Sequence, residues 1–226
     1  MTNALKKLSR FLCLFYFSFS AYTLHAQSLP VYIKQISKKF NAEEATIRIN
    51  NKLADYSALS GIADTLLLKV ELYQKKEAIA LYGKEEGRNG VLLVTLRKHA
   101  DERRGTPQYI YHKNGDSTYC EQQTPATLDH DTTGKSWLNF LVKNLNAAAP
   151  VDAGSPPGLY IVYITFTVDA EGNVTDLQIP EDPGYGTSKE VRRLMKTSPK
   201  WQPGTCNGNI ILYRAIQRVT FMVNEG

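Results

Sequence analysis

The feature that most constrains the fold is a regular alternation of side chains between positions 160 and 168. Apolar residues occupy the even positions, and more polar residues lie between them: Tyr160, Val162, Ile164, Phe166 and Val168 against Tyr163, Thr165 and Thr167. Successive side chains of a β-strand point to opposite faces of a sheet, so this period of two predicts a strand. One strongly apolar face predicts that the strand is half-buried.

Two further strands are predicted after it. Residues 169–173 have the composition of a hairpin turn that leads into a strand over 174–179. The last strand is predicted over 210–223, where apolar and polar side chains again alternate. Fourteen residues in a straight strand would span about 45 Å, so a bend is predicted at 215–217.

Two helices are predicted in the same part of the chain. Ser136 is placed to cap a helix that runs to about Asn146. Thr187 and Glu190 have the spacing of a capping box that opens a second helix, which Pro199 ends. Trp201 is expected to pack over the end of that helix.

The order helix, strand, strand, helix, strand and four motifs resemble the C-terminal domain of TonB-type energy transducers. The motifs are F-T-V-D-A-E-G-N-V at 166–174, P-G-Y-G at 183–186, P-K-W-Q-P-G at 199–204 and N-G at 207–208. The resemblance covers about 136–224 and implies an α-β-β-α-β unit with an antiparallel sheet packed against helices. It also implies that the last strand binds an extended N-terminal peptide of an outer-membrane TonB-dependent receptor by β-augmentation. The partner-binding edge implied in this sequence is Ile210, Leu212, Arg214, Ile216, Gln217 and Arg218.

The part of the chain before this module also predicts a mixed α and β structure. Strands are predicted over 45–50, 66–73 and 91–96, with a helical turn over 74–82 that Gly83 closes. In the strand over 66–73, Lys69, Glu71 and Tyr73 are predicted to supply most of the polar face. Motifs at 71–73, 78–83 and 89–95 resemble the tail of the plug domain of TonB-dependent receptors. A generic small α+β unit is the alternative interpretation.

The whole chain is therefore predicted to be an α+β protein of two small domains. The segment between them contains a hairpin, predicted from 109–111 and 117–119 around Asn114 and Gly115, and a polar linker. The predicted divisions are a signal peptide at 1–26, a plug-like domain at 27–105, hairpin and linker at 106–135, and the TonB-like domain at 136–226.

The N-terminus has the layout of a secretory signal. Lys6, Lys7 and Arg10 precede an apolar run over 11–21, and cleavage is predicted after Ala26. This layout predicts export to the periplasm. A retained inner-membrane anchor is the alternative, although the apolar run is shorter than the roughly 20 residues that a spanning helix needs.

Charge and cysteine content narrow the function further. Removal of 1–26 takes away three cations and no acid, which leaves 24 Lys and Arg against 22 Asp and Glu. That balance argues against a nucleic-acid partner. The mature chain keeps Cys120 and Cys206, which either form one disulfide between the predicted domains or remain two thiols. No cofactor or small-molecule substrate is expected.

Two rival functions remain open from the sequence. One is an envelope adaptor in which the N-terminal domain already covers the edge of the TonB-like sheet. The other is a hydrolase or metalloprotein that uses the region from His112 to His130, with Cys120, Asp129 and Asp131. Because these residues match no known spacing of metal ligands or of a nucleophile and its base, a binding protein that is not an enzyme is preferred.

The signal interpretation gives a direct prediction. The mature protein should begin at Gln27 and be released with the periplasmic fraction. Mass spectrometry of the protein purified from that fraction measures the N-terminus. Recovery of the protein with residues 1–26 attached to the membrane would instead support the anchored alternative.

Overall fold

The computed structural model describes residues 29–98, 109–111 and 117–225, with backbone alone at 109–111 and 117–119. The predicted signal peptide and the Asn114–Gly115 turn lie outside these residues. The helices in chain order are α1 Leu29–Ile36, α2 Lys75–Glu86, α3 Lys135–Asn144, α4 Ala149–Asp152 and α5 Thr187–Lys196. The strands of the first half are β1 Thr46–Ile49, β2 Lys52–Ala54, β3 Leu67–Tyr73, β4 Val91–Leu96, β5 Tyr109–Tyr111 and β6 Ser117–Tyr119. The later strands are β7 Gln123–Thr124, β8 Thr127–Leu128, β9 Gly158–Val168, β10 Val174–Gln178, β11 Trp201–Gln202, β12 Thr205–Cys206, β13 Asn209–Ile210 and β14 Tyr213–Val223.

These elements make an α+β protein, as predicted, around one seven-stranded sheet. β14 pairs with one edge of β9 along its whole length. The other edge of β9 pairs with β10 near its C-terminal end and with β3 near its N-terminal end. From β3 the sheet continues through β4 and β1 to β2, and only the β1–β4 pair is parallel. The sheet therefore contains strands from both predicted domains, and the division into domains stays a prediction.

Gly158 allows the two halves of the chain to share this sheet. It begins β9 opposite Glu71 of β3. A Cβ atom at position 158 would lie 2.1 Å from the carbonyl oxygen of Val70, which is closer than real Cβ contacts allow. The absence of a side chain therefore lets β3 approach β9.

The first hydrophobic core lies on the face of β9 predicted to be apolar. The even-numbered side chains of β9 pack there against α3, α5 and the odd-numbered side chains of β14. Phe166 contacts Trp201 with their ring centroids 5.2 Å apart, and Trp201 lies 5.7 Å from Trp137. The indole of Trp201 also donates a hydrogen bond to Ser198 Oγ just after α5, so its predicted packing at the helix end is confirmed.

The second core lies on the opposite face, and it corrects the prediction that β9 is half-buried. Leu159, Ile161 and Tyr163 pack there with α1, β3 and β4. Tyr163 Oη donates a hydrogen bond to the carbonyl oxygen of Thr65, and the Arg97 guanidinium stacks 3.7 Å from its ring centroid. Because the first half of the chain covers this face, β9 is buried on both sides.

The elements predicted in the first half are confirmed with one correction. The strands at 46–49, 67–73 and 91–96 form, and Gly83 interrupts α2 with a φ of 85°. Glu71 was assigned to the polar face of β3, but its side chain is buried. Lys69 Nζ lies 3.0 Å from its carboxylate, and Tyr185 Oη donates a hydrogen bond of 3.0 Å to it.

Both predicted helix caps are wrong. Asp131, rather than Ser136, caps α3, because its carboxylate accepts a hydrogen bond of 2.6 Å from the backbone N–H of Ser136. Thr187 is the first residue of α5, and its hydroxyl donates to the carbonyl oxygen of Gly184. Glu190 accepts hydrogen bonds from Arg193 and from the backbone N–H of Asn146, so it joins α5 to the end of α3.

The segment predicted as hairpin and linker is partly integrated into the second half. The hairpin of β5 and β6 is confirmed, with Tyr109 opposite Tyr119. Beyond it, β7 pairs with β12 and β8 pairs with β11. Ala126 and Leu128 are buried in the first core. The polar residues that indicated a linker form the turn between β8 and α3.

The close approach at Gly158 gives a stability prediction. Gly158→Ala should lower the free energy of unfolding by about 1–3 kcal/mol, because its methyl group forces β3 away from β9. Gly61→Ala is the matched control, since a Cβ atom there meets nothing within 4 Å. Urea denaturation of both variants measures the difference. Equal stabilities would contradict the proposed role of Gly158.

Candidate functional site

The predicted binding edge lies at one end of the sheet. β14 pairs with β9, and in the part of the chain that the structure describes no strand pairs with the outer edge of β14. An edge strand exposes backbone N–H and C=O groups that can pair with another extended chain. The backbone chemistry needed for strand addition is therefore present along β14.

Four exposed side chains lie at alternate sequence positions where the chain leaves β13 and enters β14: one in β13, one in the connection and two in β14. We define the exposed row as Ile210, Leu212, Arg214 and Ile216. Three of its members are apolar, with exposed fractions of 58% for Ile210, 66% for Leu212 and 37% for Ile216. Arg214 is also exposed. A cluster of exposed apolar side chains around one cation is typical of a protein-binding surface.

Arg218 shares the period of this row but does not belong to it. Its guanidinium lies 3.0 Å from the carboxylate of Asp64, and both side chains are largely buried. The pair lies between the first half of the chain and β14, so Arg218 holds the two halves together. Gln217, the remaining predicted edge residue, is half-buried. No pattern in the sequence indicated Asp64, because a single acid in the short 3-10 helix Asp64–Leu66 has no periodicity.

The bend predicted at 215–217 is also wrong. All eleven residues of β14 pair with β9 in one continuous register, from Tyr213 opposite Val168 to Val223 opposite Gly158. The extended chain is interrupted earlier, between β13 and β14, where the N–H of Ile211 donates to the carbonyl oxygen of Gly204. This interruption shortens the final strand, so no bend is needed.

Tyr213 fixes the start of β14. Its ring lies against Gly204, where an added Cβ atom would be 2.5 Å from the ring carbon Cδ2. Burial raises the pKa of the Tyr213 phenol, so the hydroxyl stays protonated at neutral pH. The apolar contact at Gly204 thus holds the strand where the exposed row begins.

A small three-stranded sheet holds the first residue of the exposed row, because Ile210 belongs to β13. β12 pairs with β13 through a tight turn in which Asn207 and Gly208 both have positive φ, and β7 pairs with β12. Cys120 and Cys206 form a disulfide with a Cα–Cα distance of 5.6 Å. The bridge ties the chain before β7 to β12, and it does not join the two predicted domains in the way considered from the sequence.

The residues of the rival enzyme interpretation have other contacts or lie at the surface. His112 lies outside the described residues, and Asp129 and His130 are exposed. Asp131 accepts hydrogen bonds from Thr133 and from the N–H of Ser136, which hold its pKa below the usual value. Within residues 29–98 and 117–225, the structure brings together no group of three His, Cys, Asp or Glu side chains that could hold a metal ion.

Comparison of the chain with models of protein families, with curated proteins and with solved structures found no match in any of the three. A separate search of the described helices found none that is long and apolar enough to span a membrane.

The disulfide gives a prediction about the support of the exposed row. Cys120→Ser/Cys206→Ser should lower the free energy of unfolding by about 2–4 kcal/mol, because the bridge closes a long loop in the unfolded chain. Thermal unfolding with and without a reductant is the measurement. The reductant should lower the melting temperature of the wild type and leave the double variant unchanged. A melting temperature of the wild type that does not change with the reductant would contradict the prediction.

Proposed function

We propose that this chain is a periplasmic protein-interaction module of the TonB type, which binds an extended peptide on the outer edge of β14. The partner would be the N-terminal peptide of an outer-membrane TonB-dependent receptor, and binding would support transport across that membrane. The observation that carries the proposal is the edge position of β14 next to the exposed row. The motif resemblance over 136–224 supplies the identity of the partner.

The geometry of the edge suits an extended peptide. Part of the recognition would come from the peptide backbone and would not depend on the peptide sequence. Backbone groups of β14 would pair with the added strand and supply affinity for many sequences. Ile216 would contact an apolar side chain of the peptide, because residues opposite each other on paired strands share a face. Leu212, which immediately precedes β14, would contact a second apolar side chain. Arg214 would favour an acidic side chain between them. The module therefore binds and selects a partner without chemical conversion.

The covered-edge adaptor is the second candidate. It is favoured by the pairing of β3 with β9, since the first half of the chain already occupies one edge of the module as an added strand. The Arg218–Asp64 ion pair also fixes this half against β14. In this case the chain would hold other envelope proteins through surfaces outside β14, and extended peptides would not bind.

A peptide titration tests the proposal with the mature chain. The full chain is needed because β3, β7 and β8 all pair with strands of the second half. Leu212→Ser should weaken the binding of receptor N-terminal peptides by about tenfold, the loss expected when one apolar contact worth about 1.4 kcal/mol is removed.

Leu53→Ser is the matched control. Leu53 has an exposed fraction of 65%, close to that of Leu212, but lies in β2 at the far end of the sheet. This variant should bind peptides as the wild type does. If both variants weaken peptide binding equally, the exposed row is not part of the binding site. If the wild type binds no peptide, the covered-edge adaptor is favoured.

A further inference from the structure

The outer surface of α5 carries an unusual concentration of positive charge. Four of the ten residues of this helix are exposed, and all four are cations: Lys189, Arg192, Arg193 and Lys196. Their spacing of three, four and seven residues places them on one side of the helix. Val191, Leu194 and Met195 face the first core, and the other side chains of α5 are buried polar groups, so every exposed side chain of this helix is basic.

This arrangement costs the helix stability. Residues three and four apart on a helix are neighbours, and like charges at those spacings repel each other. The four cations make four such neighbouring pairs. Lys189 also lies in the first turn, where the helix dipole is positive and disfavours a cation. A bound anion would remove both sources of repulsion.

One of the four cations is fixed by the fold. The Arg193 guanidinium makes two hydrogen bonds to Glu190, at 2.8 and 2.7 Å, and a third to the carbonyl oxygen of Asn144. In the described part of the chain, Lys189, Arg192 and Lys196 have no ion pair. These three cations are therefore available to a ligand. The Arg193 guanidinium beside them is held in place by Glu190 and by the carbonyl oxygen of Asn144.

These cations line a cavity of about 510 Å³. We call it the basic groove, lined by Lys189, Arg192, Arg193 and Lys196 together with Ile179 and Ser188. A volume of this size is in the range of small-molecule sites, which extends from about 300 to 1,000 Å³. Ile179 gives the groove an apolar wall on which the carbon skeleton of a ligand can rest.

Among the residues that the structure describes, Asp182 is the only acid that lines the groove, and it is engaged by hydrogen bonds. Asp182 Oδ1 accepts a hydrogen bond of 2.6 Å from Ser188 Oγ and one of 2.9 Å from the N–H of Gly184. These contacts hold the carboxylate at the turn before α5. The groove therefore keeps an excess of positive charge.

We propose that the basic groove binds a small ligand that carries several phosphate groups. Neighbouring cations on a helix lie about 5–6 Å apart, and seven residues of helix span about 10 Å. A ligand with phosphates spread over that distance would meet several cations at once, and arginine matches the oxygens of a phosphate with paired N–H donors. The phosphates belong either to a soluble phosphate ester or to a lipid headgroup. This site is separate from the exposed row. α5 packs against the odd-numbered side chains of β14, whereas Arg214 and Ile216 of the exposed row point to the opposite face of that strand.

Isothermal titration of the mature chain with myo-inositol hexakisphosphate tests the proposal. The groove variant Lys189→Gln/Arg192→Gln should bind about tenfold more weakly than the wild type or worse, because each lost charge-assisted contact is worth at least that factor. The matched control Lys84→Gln/Arg88→Gln removes one exposed lysine and one exposed arginine from another part of the surface. It should bind like the wild type, and raising the salt concentration should weaken binding in both.

Further measurements distinguish a lipid headgroup from a free phosphate ester and test whether binding depends on the groove and on phosphate. Capture of cardiolipin vesicles, whose headgroup carries two phosphates, by the wild type and not by the groove variant would assign the phosphates to a lipid headgroup. Binding of the soluble probe without vesicle capture would assign them to a free ester. Equal weakening in both variants, no binding of the soluble probe, or equally tight binding of a poly-glutamate peptide would overturn the proposal.

Thermal unfolding without ligand supplies an independent check. The groove variant should melt at or above the temperature of the wild type, because it loses like-charge repulsion and no packing contact. A clearly lower melting temperature would show that Lys189 and Arg192 serve the fold, and would overturn their assignment to a ligand site.

Discussion

The pairing of β3 with β9 at Gly158 is the contact on which the rest of the structure depends. Because no side chain at position 158 separates the strands, the sheet continues from the first half of the chain into the second. The two cores then lie on opposite faces of this sheet, and β9 is buried between them. A folded second half therefore requires the first half, which provides the second edge and the second face of its central strand.

The sequence correctly predicted most of the strands and helices. It did not predict that a strand with one apolar face, such as β9, would be covered on its other face as well. Alternation in β9 correctly identified the strand and the side chains of its first core. It could not show that Tyr163 and Thr165 are buried, because tyrosine and threonine both occur in the interior and at the surface of proteins. Alternation in β3 did not indicate the burial of Glu71 either, because a glutamate is rarely buried unless it is paired. Tyr163 contacts Thr65 and Arg97, and Glu71 contacts Tyr185, and each of these partners lies more than 60 positions away in the chain.

Local motifs also failed where a distant group competed for the same side chain. Glu190 has the spacing of a capping box with Thr187, but Arg193 and the N–H of Asn146 bind its carboxylate. Burial by itself would raise the pKa of the Glu190 carboxyl group. The hydrogen bonds from Arg193 and Asn146 outweigh this effect, so the pKa is held below its usual value. The carboxylate thus stabilises the fold at neutral pH, and this contribution is lost as the pH falls below the pKa of the unfolded chain and through that of the folded one. Of the six residues predicted for the binding edge, four form the exposed row and Arg218 is held by an ion pair, and their role in binding stays a prediction.

The first half of the chain also sets the length of the edge that a peptide could use. β14 occupies one edge of β9 along its whole length, and β3 and β10 occupy the two ends of the other edge. Strand addition is therefore directed to the outer edge of β14. β14 begins at Tyr213, and the part of it before the Arg218–Asp64 pair spans about 15 Å at the rise of a β-strand. A peptide of about five extended residues would fill that length, and a longer one would reach the surface of the first half, where Asp64 would determine which side chains can follow.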